Sequence, residues 1–222
     1  MQREIIKTSD GSKTIRIIDL DENYHSHHGA LQEANHVFLN QGLAYLNQHD
    51  EISIFEMGLG TGLNAFLTAV EAENKNLKIK YTGIEAFPVN SEEINALGYE
   101  DLLEGCYNEI FHKIHDSNWG DFELITKTFS LCKIHDRIEN VTLENDSFDL
   151  IYYDAFGPRA QDEMWSVDLF QKMYDSLKKG GILVTYCAKG QVKRNLKQVG
   201  FKIEALPGPP GKREMTRAIK LD

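Results

Sequence analysis

What this sequence lacks narrows it first. No run of about 18 apolar residues occurs in its 222 residues, so no membrane-spanning helix is expected. The opening segment, Met1-Gln-Arg-Glu-Ile-Ile-Lys7, has no apolar stretch of the kind a secretory signal needs. Cysteine is scarce: Cys106, Cys132 and Cys187 are far apart and odd in number. That suggests neither a disulfide framework nor a zinc ribbon and points to a reducing cytoplasm. Positive charge is also short, with 24 Lys and Arg against 34 Asp and Glu, a formal net of −10. Taken alone, that balance argues against a nucleic-acid partner.

The deficit is uneven, however. From Lys178 to Asp222 eleven Lys or Arg face three acids, which leaves this segment near +8 and the rest near −18. Such an asymmetry suits a polyanion-binding face; a merely solvated basic surface is the plainer alternative. The apolar fraction of 41% is enough for a core, and the length fits one α/β domain over residues 1–222. Within it, 1–50 read as an N-terminal hairpin followed by a lid and helix, and 51–222 as the core.

The chain is organised around Ile52-Ser-Ile-Phe-Glu-Met-Gly-Leu-Gly-Thr-Gly-Leu-Asn-Ala-Phe66. Ile52–Phe55 is a short apolar run of buried-strand type, and Leu63, Phe66, Leu67 and Val70 start a helical face. Between them stand Gly58, Gly60 and Gly62. Strand, glycine turn and helix bring backbone close to a nucleotide-like ligand. The spacing is Gly-x-Gly-x-Gly rather than the dinucleotide Gly-x-Gly-x-x-Gly, and Glu56 stands two residues ahead. A carboxylate there repels a pyrophosphate but suits a ligand with an amino group. S-adenosylmethionine carries a sulfonium and an α-ammonium, and the stretch resembles the first motif of the methyltransferases that use it.

The remaining elements follow in order. Asp10-Gly11 between isoleucine-rich runs signals a hairpin. Tyr24 to Phe38 reads as a polar loop, His25, His27 and His28 included, and then a helix from Ala30; the loop is expected to close over a ligand rather than hold a metal. Leu77–Ile84 is a second strand ending at Glu85, about 25 residues past the glycines, where an acid grips a ribose diol. Pro88 suits the first turn of a helical stretch over 88–118. Short strands are expected over Phe122–Thr126 and Ser130–Ile134, the latter followed by Asp136, an acid able to accept from an adenine amino group. Phe148–Tyr153 is a buried strand with Asp154-Ala-Phe-Gly-Pro158 at its carboxyl end, where open α/β sheets place ligands. Trp165–Leu177 is an amphipathic helix that Lys178-Lys-Gly-Gly181 stops. Ile182–Cys187 and Gly200–Glu204 are strands around a basic helix, and a basic loop leads to a last strand at Thr216–Lys220.

Five elements occur in a set order: Tyr24-x-Ser26, Glu33 with His36-Val-Phe38, the Glu56–Asn64 turn, Asp154-Ala-Phe-Gly-Pro158, and Gly208-x-x-Gly-Lys-Arg-Glu-Met215. Together they resemble the methyltransferase of the tRNA wobble-uridine pathway over nearly the whole chain. Asp-Ala-Phe-x-Pro and Lys-Arg-Glu-Met are the specific elements. Trp119-Gly120, where Trp-Pro is common, is a departure, and so are the histidines at 25–28. The resemblance implies a Rossmann-like class I fold, a seven-stranded sheet with a final antiparallel strand. It implies S-adenosylmethionine as cofactor and N-methylation of 5-aminomethyl-2-thiouridine in tRNA by a monofunctional, stand-alone form. In some members this domain is fused to an oxidoreductase.

The site residues follow as expectations. Gly58, Gly60 and Gly62, with Glu56, Asn64, Tyr24 and Ser26, lie toward the cofactor; Glu85 takes the ribose and Asp136 the adenine. Asp154 orients the amine and takes its proton. Phe156 and Pro158 face the base, with Tyr24 able to stack on it. Lys189, Lys193, Arg194, Lys212 and Arg213 are candidates for tRNA phosphates. Two other classes stay open: a small-molecule amine methyl- or aminopropyltransferase, and a module that binds the cofactor without catalysis.

Overall fold

The computed structural model describes residues 2–46, 50–103 and 107–221; Cys106 lies outside them. Strand β4 (Glu51–Met57) begins the main sheet. Its odd and even residues part company, as the two-residue period of a strand requires. Ile52 and Ile54 pack on one face of the sheet with the helix α2 (Leu63–Lys75), and Phe55 and Met57 pack on the other. Strands β5 (Lys78–Ile84) and β7 (Phe129–Ile134) extend the sheet to one side in parallel. The chain then crosses back to lay β8 (Phe148–Tyr153) and β9 (Leu177–Thr185) on the other side of β4, again in parallel. The order therefore reverses between β4 and β8, and their carboxyl ends flank the point where doubly wound sheets open a crevice.

Two antiparallel strands, β10 (Lys202–Pro207) and β11 (Glu214–Ile219), close the β9 edge. A three-residue strand β6 (Phe122–Leu124) pairs antiparallel with β7 at the other edge and brings the sheet to eight strands. It is the short strand expected over Phe122–Thr126, and with it the sheet has eight strands where the resemblance implies seven. The N-terminal hairpin forms as Asp10-Gly11 suggested: β1 (Arg3–Lys7) pairs with β2 (Lys13–Ile17), and β3 (Glu22–Asn23) completes a small separate sheet.

The helices α1 (Ala30–Ala34), α2 and α4 (Asn108–Asp116) cover one face, and α5 (Val167–Ser176) and α6 (Gly190–Gln198) cover the other. α1 runs on into a π turn, Asn35–Asn40, whose extra residue buries Val37, Phe38 and Leu39 together. Several boundaries differ from expectation, and two of them have a visible cause. Helix α3 (Ser91–Leu97) starts beyond Pro88 because Asn90 and Glu93 form a reciprocal capping box. Helix α5 already ends at Ser176, and Lys178–Gly181 form a bulge inside β9. The bulge is held there by the Lys178–Asp149 ion pair and by a bond from Gly180 N to Lys220 O. Among the described residues no helix is long and apolar enough to cross a membrane.

Candidate active site

The carboxyl ends of β4, β5, β7 and β8 surround one cleft of about 1000 Å³, open to solvent at its mouth. Its lining includes Tyr24, Gly58, Gly60, Asn64, Glu85, Asp136, Asp154 and Phe156, all expected from the sequence. The strand ends thus converge three acids, from β5, β7 and β8, on one space. Met57, Ile84, Phe87 and Ile138 give it apolar walls.

The turn after β4 lies close against the turn after β8. Asp154 N donates to Met57 O, and a Cβ on Gly58 would come within 2.9 Å of Asp154 O. Gly58 also has φ +87°, so a side chain there meets both strain and a clash. Two bonds pin the backbone after Asp154: Tyr186 Oη donates to Ala155 O at 2.8 Å, and Trp165 Nε1 donates to Phe156 O at 2.8 Å. Phe156 then meets Tyr24 edge to face at 5.1 Å between ring centres.

Asn64, on the first turn of α2, bridges two carboxyl groups. Its Nδ2 donates one proton to Glu56 Oε1 and the other to Asp154 Oδ2, each at 2.9 Å. Glu56 is fully buried, and burial raises its carboxyl far above the usual range; Asn64 draws it down only in part. Burial thus favours its protonated form. Asp154 stands partly exposed at the cleft floor. Burial pushes its carboxyl up to about 7, with nearby Glu33 adding to the rise and Asn64 and Lys212 opposing it. Its Oδ1 has no hydrogen-bond partner among the described residues.

Glu85 is stapled to two backbone groups, accepting from Gly60 N and from Phe87 N at 2.8 Å each, and so fixes the glycine turn against the end of β5. Asp136 is exposed on the cleft rim, with Oδ1 taken by Arg137 N and Asn140.

Other expected residues stand elsewhere. Glu56 does not line the cleft, because it shares the parity of Ile54 and turns under α2. Ser26 is also outside the lining: its backbone N–H donates to Glu33 Oε2, and its hydroxyl accepts from His28 N. Gly62 starts α2 in a left-handed conformation beside His115. Pro158 follows the pinned turn and does not line the cleft. Of the basic residues, Lys189, Arg194 and Arg213 are exposed. Lys193 is paired with Glu214 at 2.7 Å. Lys212 is turned inward, paired with the buried Glu33 at 2.5 Å and stacked over the Tyr186 ring at 3.8 Å. Six of the eleven C-terminal basic residues stand in such ion pairs, which is why the sequence count overstates the free positive surface.

Sequence reasoning missed His25 as a fixture of the site. Burial pushes its imidazole down to about 4, so it is neutral. Its Nδ1 meets Thr14 Oγ1 at 3.0 Å and its Nε2 faces Thr61 Oγ1 at 3.5 Å, tying β2 to the glycine turn. His27 and His28 stack on one another at 3.9 Å instead of joining it. His25 follows β3, and Thr14 on β2 takes both its backbone N–H and its ring, a pairing that no local pattern in the sequence displays.

Comparison with known proteins points the same way. A family model described as S-adenosyl-L-methionine-dependent methyltransferase matches residues 98–221, more than half of the chain. The chain is 30% identical over 217 residues to the tRNA 5-methylaminomethyl-2-thiouridine biosynthesis bifunctional protein MnmC of Cupriavidus metallidurans, covering 89% of this chain and 31% of that protein. The protein of the same name from Leptospira interrogans is 31% identical over 221 residues, covering 88% and 32%. The chain thus spans about a third of the length of these relatives. Among solved structures, MNMC2 from Aquifex aeolicus matches with a TM-score of 0.76 at 24% identity, over 98% of this chain and 70% of that one. Spermidine synthase from Thermotoga maritima matches at 0.59 and 13% identity, over 98% and 68%. These two likenesses show the fold.

Proposed function

We propose that this chain, which belongs to the family of S-adenosyl-L-methionine-dependent methyltransferases, methylates the 5-aminomethyl group of a 2-thiouridine at the wobble position of tRNA. The product is 5-methylaminomethyl-2-thiouridine. The reading rests on the relatives that share 30% of their aligned residues with 89% of the chain and are named for that nucleoside's biosynthesis. The observation that carries it is Asp154 itself, at the sheet's switch point, with one oxygen free and an aromatic pair beside it.

The residues present fit the cofactor. Glu85 and Asp136 stand at the ends of neighbouring strands and retain acceptor capacity toward a ribose diol and an adenine amino group. Phe87, Ile84 and Ile138 form an apolar slot between them. Glu56 is assigned here a supporting role, since it reaches the cleft only through Asn64. When bound, S-adenosylmethionine supplies a methyl group on a positively charged sulfur.

The chain's own part is proton management and positioning. An alkylamine is mostly ammonium at neutral pH and must shed a proton before its nitrogen can attack. Asp154 at about 7 is matched to that task, being basic enough to accept the proton yet still ionised in part. Asn64 holds Oδ2, so Oδ1 is the oxygen left to receive it. Tyr24 and Phe156 offer ring faces and edges to an extruded base and exclude water from the amine. Positioning two reactants this way can supply up to ~7–11 kcal/mol of the barrier. Lys189, Arg194 and Arg213 are the exposed cations proposed to meet phosphates. The compartment proposed is the cytoplasm, where tRNA is processed.

The test is labelled S-adenosylmethionine with bulk tRNA from cells lacking this gene, followed by nucleoside analysis. Label in 5-methylaminomethyl-uridine derivatives that disappears in Asp154→Ala supports the reading. Label absent from tRNA but present on a small amine transfers the activity to the small-molecule class.

A further inference from the structure

Resting on the methyl-transfer reading above, we propose that Glu33 and Lys212 are positioning residues. They form an opposed pair of charges, one from each end of the chain, that together hold Asp154 ready to take the acceptor's proton. Neither lines the cleft, and the proposed chemistry assigns neither a role.

The pair is built, not incidental. Glu33 on α1 is 6% exposed, and both of its oxygens are engaged, Oε1 by Lys212 Nζ and Oε2 by Ser26 N at 2.7 Å. Lys212 comes from the turn between β10 and β11. That turn is closed by Lys212 N to Pro209 O and Gly208 N to Arg213 O, and it packs so closely on the N-terminal loop that a Cβ at Gly211 would overlap His28. His36 Nε2 meets Pro207 O at 2.8 Å and closes the same junction. Lys212 then spreads over the Tyr186 ring, whose hydroxyl holds the carbonyl of Ala155, the residue after Asp154. Tyr186 thus links the ion pair to the backbone that carries the reacting carboxyl.

The groups facing Asp154 come from every neighbouring element. They are Glu33 from α1, Glu56 from β4, Asn64 from α2, Tyr81 from β5, Tyr186 after β9 and Lys212 from the β10–β11 turn. Glu56, Tyr81 and Tyr186 are buried groups whose ionisation burial pushes upward, toward their uncharged forms. Glu33 and Lys212 are left as the two opposed charges of the set: Glu33 raises the Asp154 carboxyl and Lys212 lowers it. A carboxyl facing the acid alone stays protonated at neutral pH and cannot accept a proton. Facing the cation alone, it ionises easily but becomes a poor base.

The test is the pH profile of methyl transfer to tRNA in Lys212→Met, Glu33→Gln, the double variant and Lys212→Arg, each with cofactor affinity measured in parallel. Methionine keeps the stem over Tyr186 while removing the charge. Lys212→Met is expected to move the acidic limb to higher pH, adding a further loss of about 3- to 10-fold at pH 6 to the roughly tenfold that the wild type shows there relative to its plateau. Glu33→Gln is expected to move it to lower pH. The double variant returns toward the wild-type limb, and Lys212→Arg keeps it. A purely structural pair would lower both variants without displacing their limbs in opposite directions, and that result overturns the proposal. Should Glu33→Gln not fold, the contrast of Lys212→Met with Lys212→Arg decides the matter: a shared limb overturns it. Should the wild-type protein transfer no methyl group to tRNA, the proposed function fails instead. The Asp154 titration, followed by carboxyl-carbon NMR in the same variants, still reads the pair: opposite displacements support it and none overturns it.

Discussion

Replacing Asp154 by asparagine should stabilise the protein increasingly as the pH rises. The carboxyl is lifted from 3.8 to about 7 by burial and by Glu33. A group whose folded value is raised binds more protons folded than unfolded, so stability falls as pH climbs from about 4 to about 7 and is level above. At ~1.4 kcal/mol per pH unit, the full cost has an upper bound of roughly 4 kcal/mol above pH 7. Asp154 keeps one oxygen toward the cleft, and water relaxation there discounts the figure to about half. Asparagine removes the charge but keeps a carbonyl for Asn64 Nδ2, so the bridge to Glu56 survives. The stability gap between variant and wild type should therefore widen by about 1–3 kcal/mol between pH 5 and pH 8. In a protein of this length that corresponds to several degrees in Tm. Urea unfolding at a series of pH values, without cofactor, measures it. A gap that is constant with pH, or that narrows as pH rises, would show that Asp154 is not a destabilised carboxylate. Its assignment as a base poised near neutrality would then lose its physical ground.

Asn64→Leu should cost about 2–4 kcal/mol in urea unfolding, because it leaves both the buried Glu56 and Asp154 without their shared donor; a loss under 1 kcal/mol would refute the bridge. Gly58→Ala should abolish methyl transfer and lower Tm, since the added carbon meets Asp154 O at 2.9 Å on a φ of +87°; a variant with wild-type kcat would show that the two turns can part without consequence. Arg194→Ala combined with Arg213→Ala should weaken tRNA binding, flatten its salt dependence and leave cofactor affinity unchanged. Filter binding across a salt series checks this, and an unchanged slope refutes the assignment.

Much of the scaffold was legible because strand parity and turn chemistry are local. Ile52–Phe55, the three glycines and Leu63–Val70 form β4, its turn and the first part of α2 in the expected places. Asp10-Gly11 forms its hairpin. Glu85, Asp136 and Asp154 come to one cleft because each ends a parallel strand near the switch point. Boundaries were less legible where a distant partner decides them. The Lys178–Gly181 bulge depends on Asp149 and Lys220, and the start of α3 on a capping box reinforced by Arg3, which bonds Glu93 from 90 residues away.

The charged residues show the same division more sharply. Glu56 looked like a ligand because it precedes the glycines, yet whether a residue at a strand end faces cleft or helix depends on parity. Glu56 shares the face of Ile52 and Ile54, which α2 covers. The two-residue period of β4 places it there. Lys212 is different. Nothing local distinguishes it from Arg213 beside it, and both read as surface cations after a Gly-Pro-Pro-Gly turn. What separates them is Glu33, 179 residues away, which draws one inward and leaves the other in solvent. A count of charge along a chain ranks segments by composition, but a charge is free for a polyanion only when no buried acid has claimed it. The +8 of the C-terminal segment therefore divides into two populations. One is held by the chain's own carboxylates and shapes the fold and the site. The other, exemplified by Lys189, Arg194 and Arg213, is exposed, and the salt slope of tRNA binding should count only these.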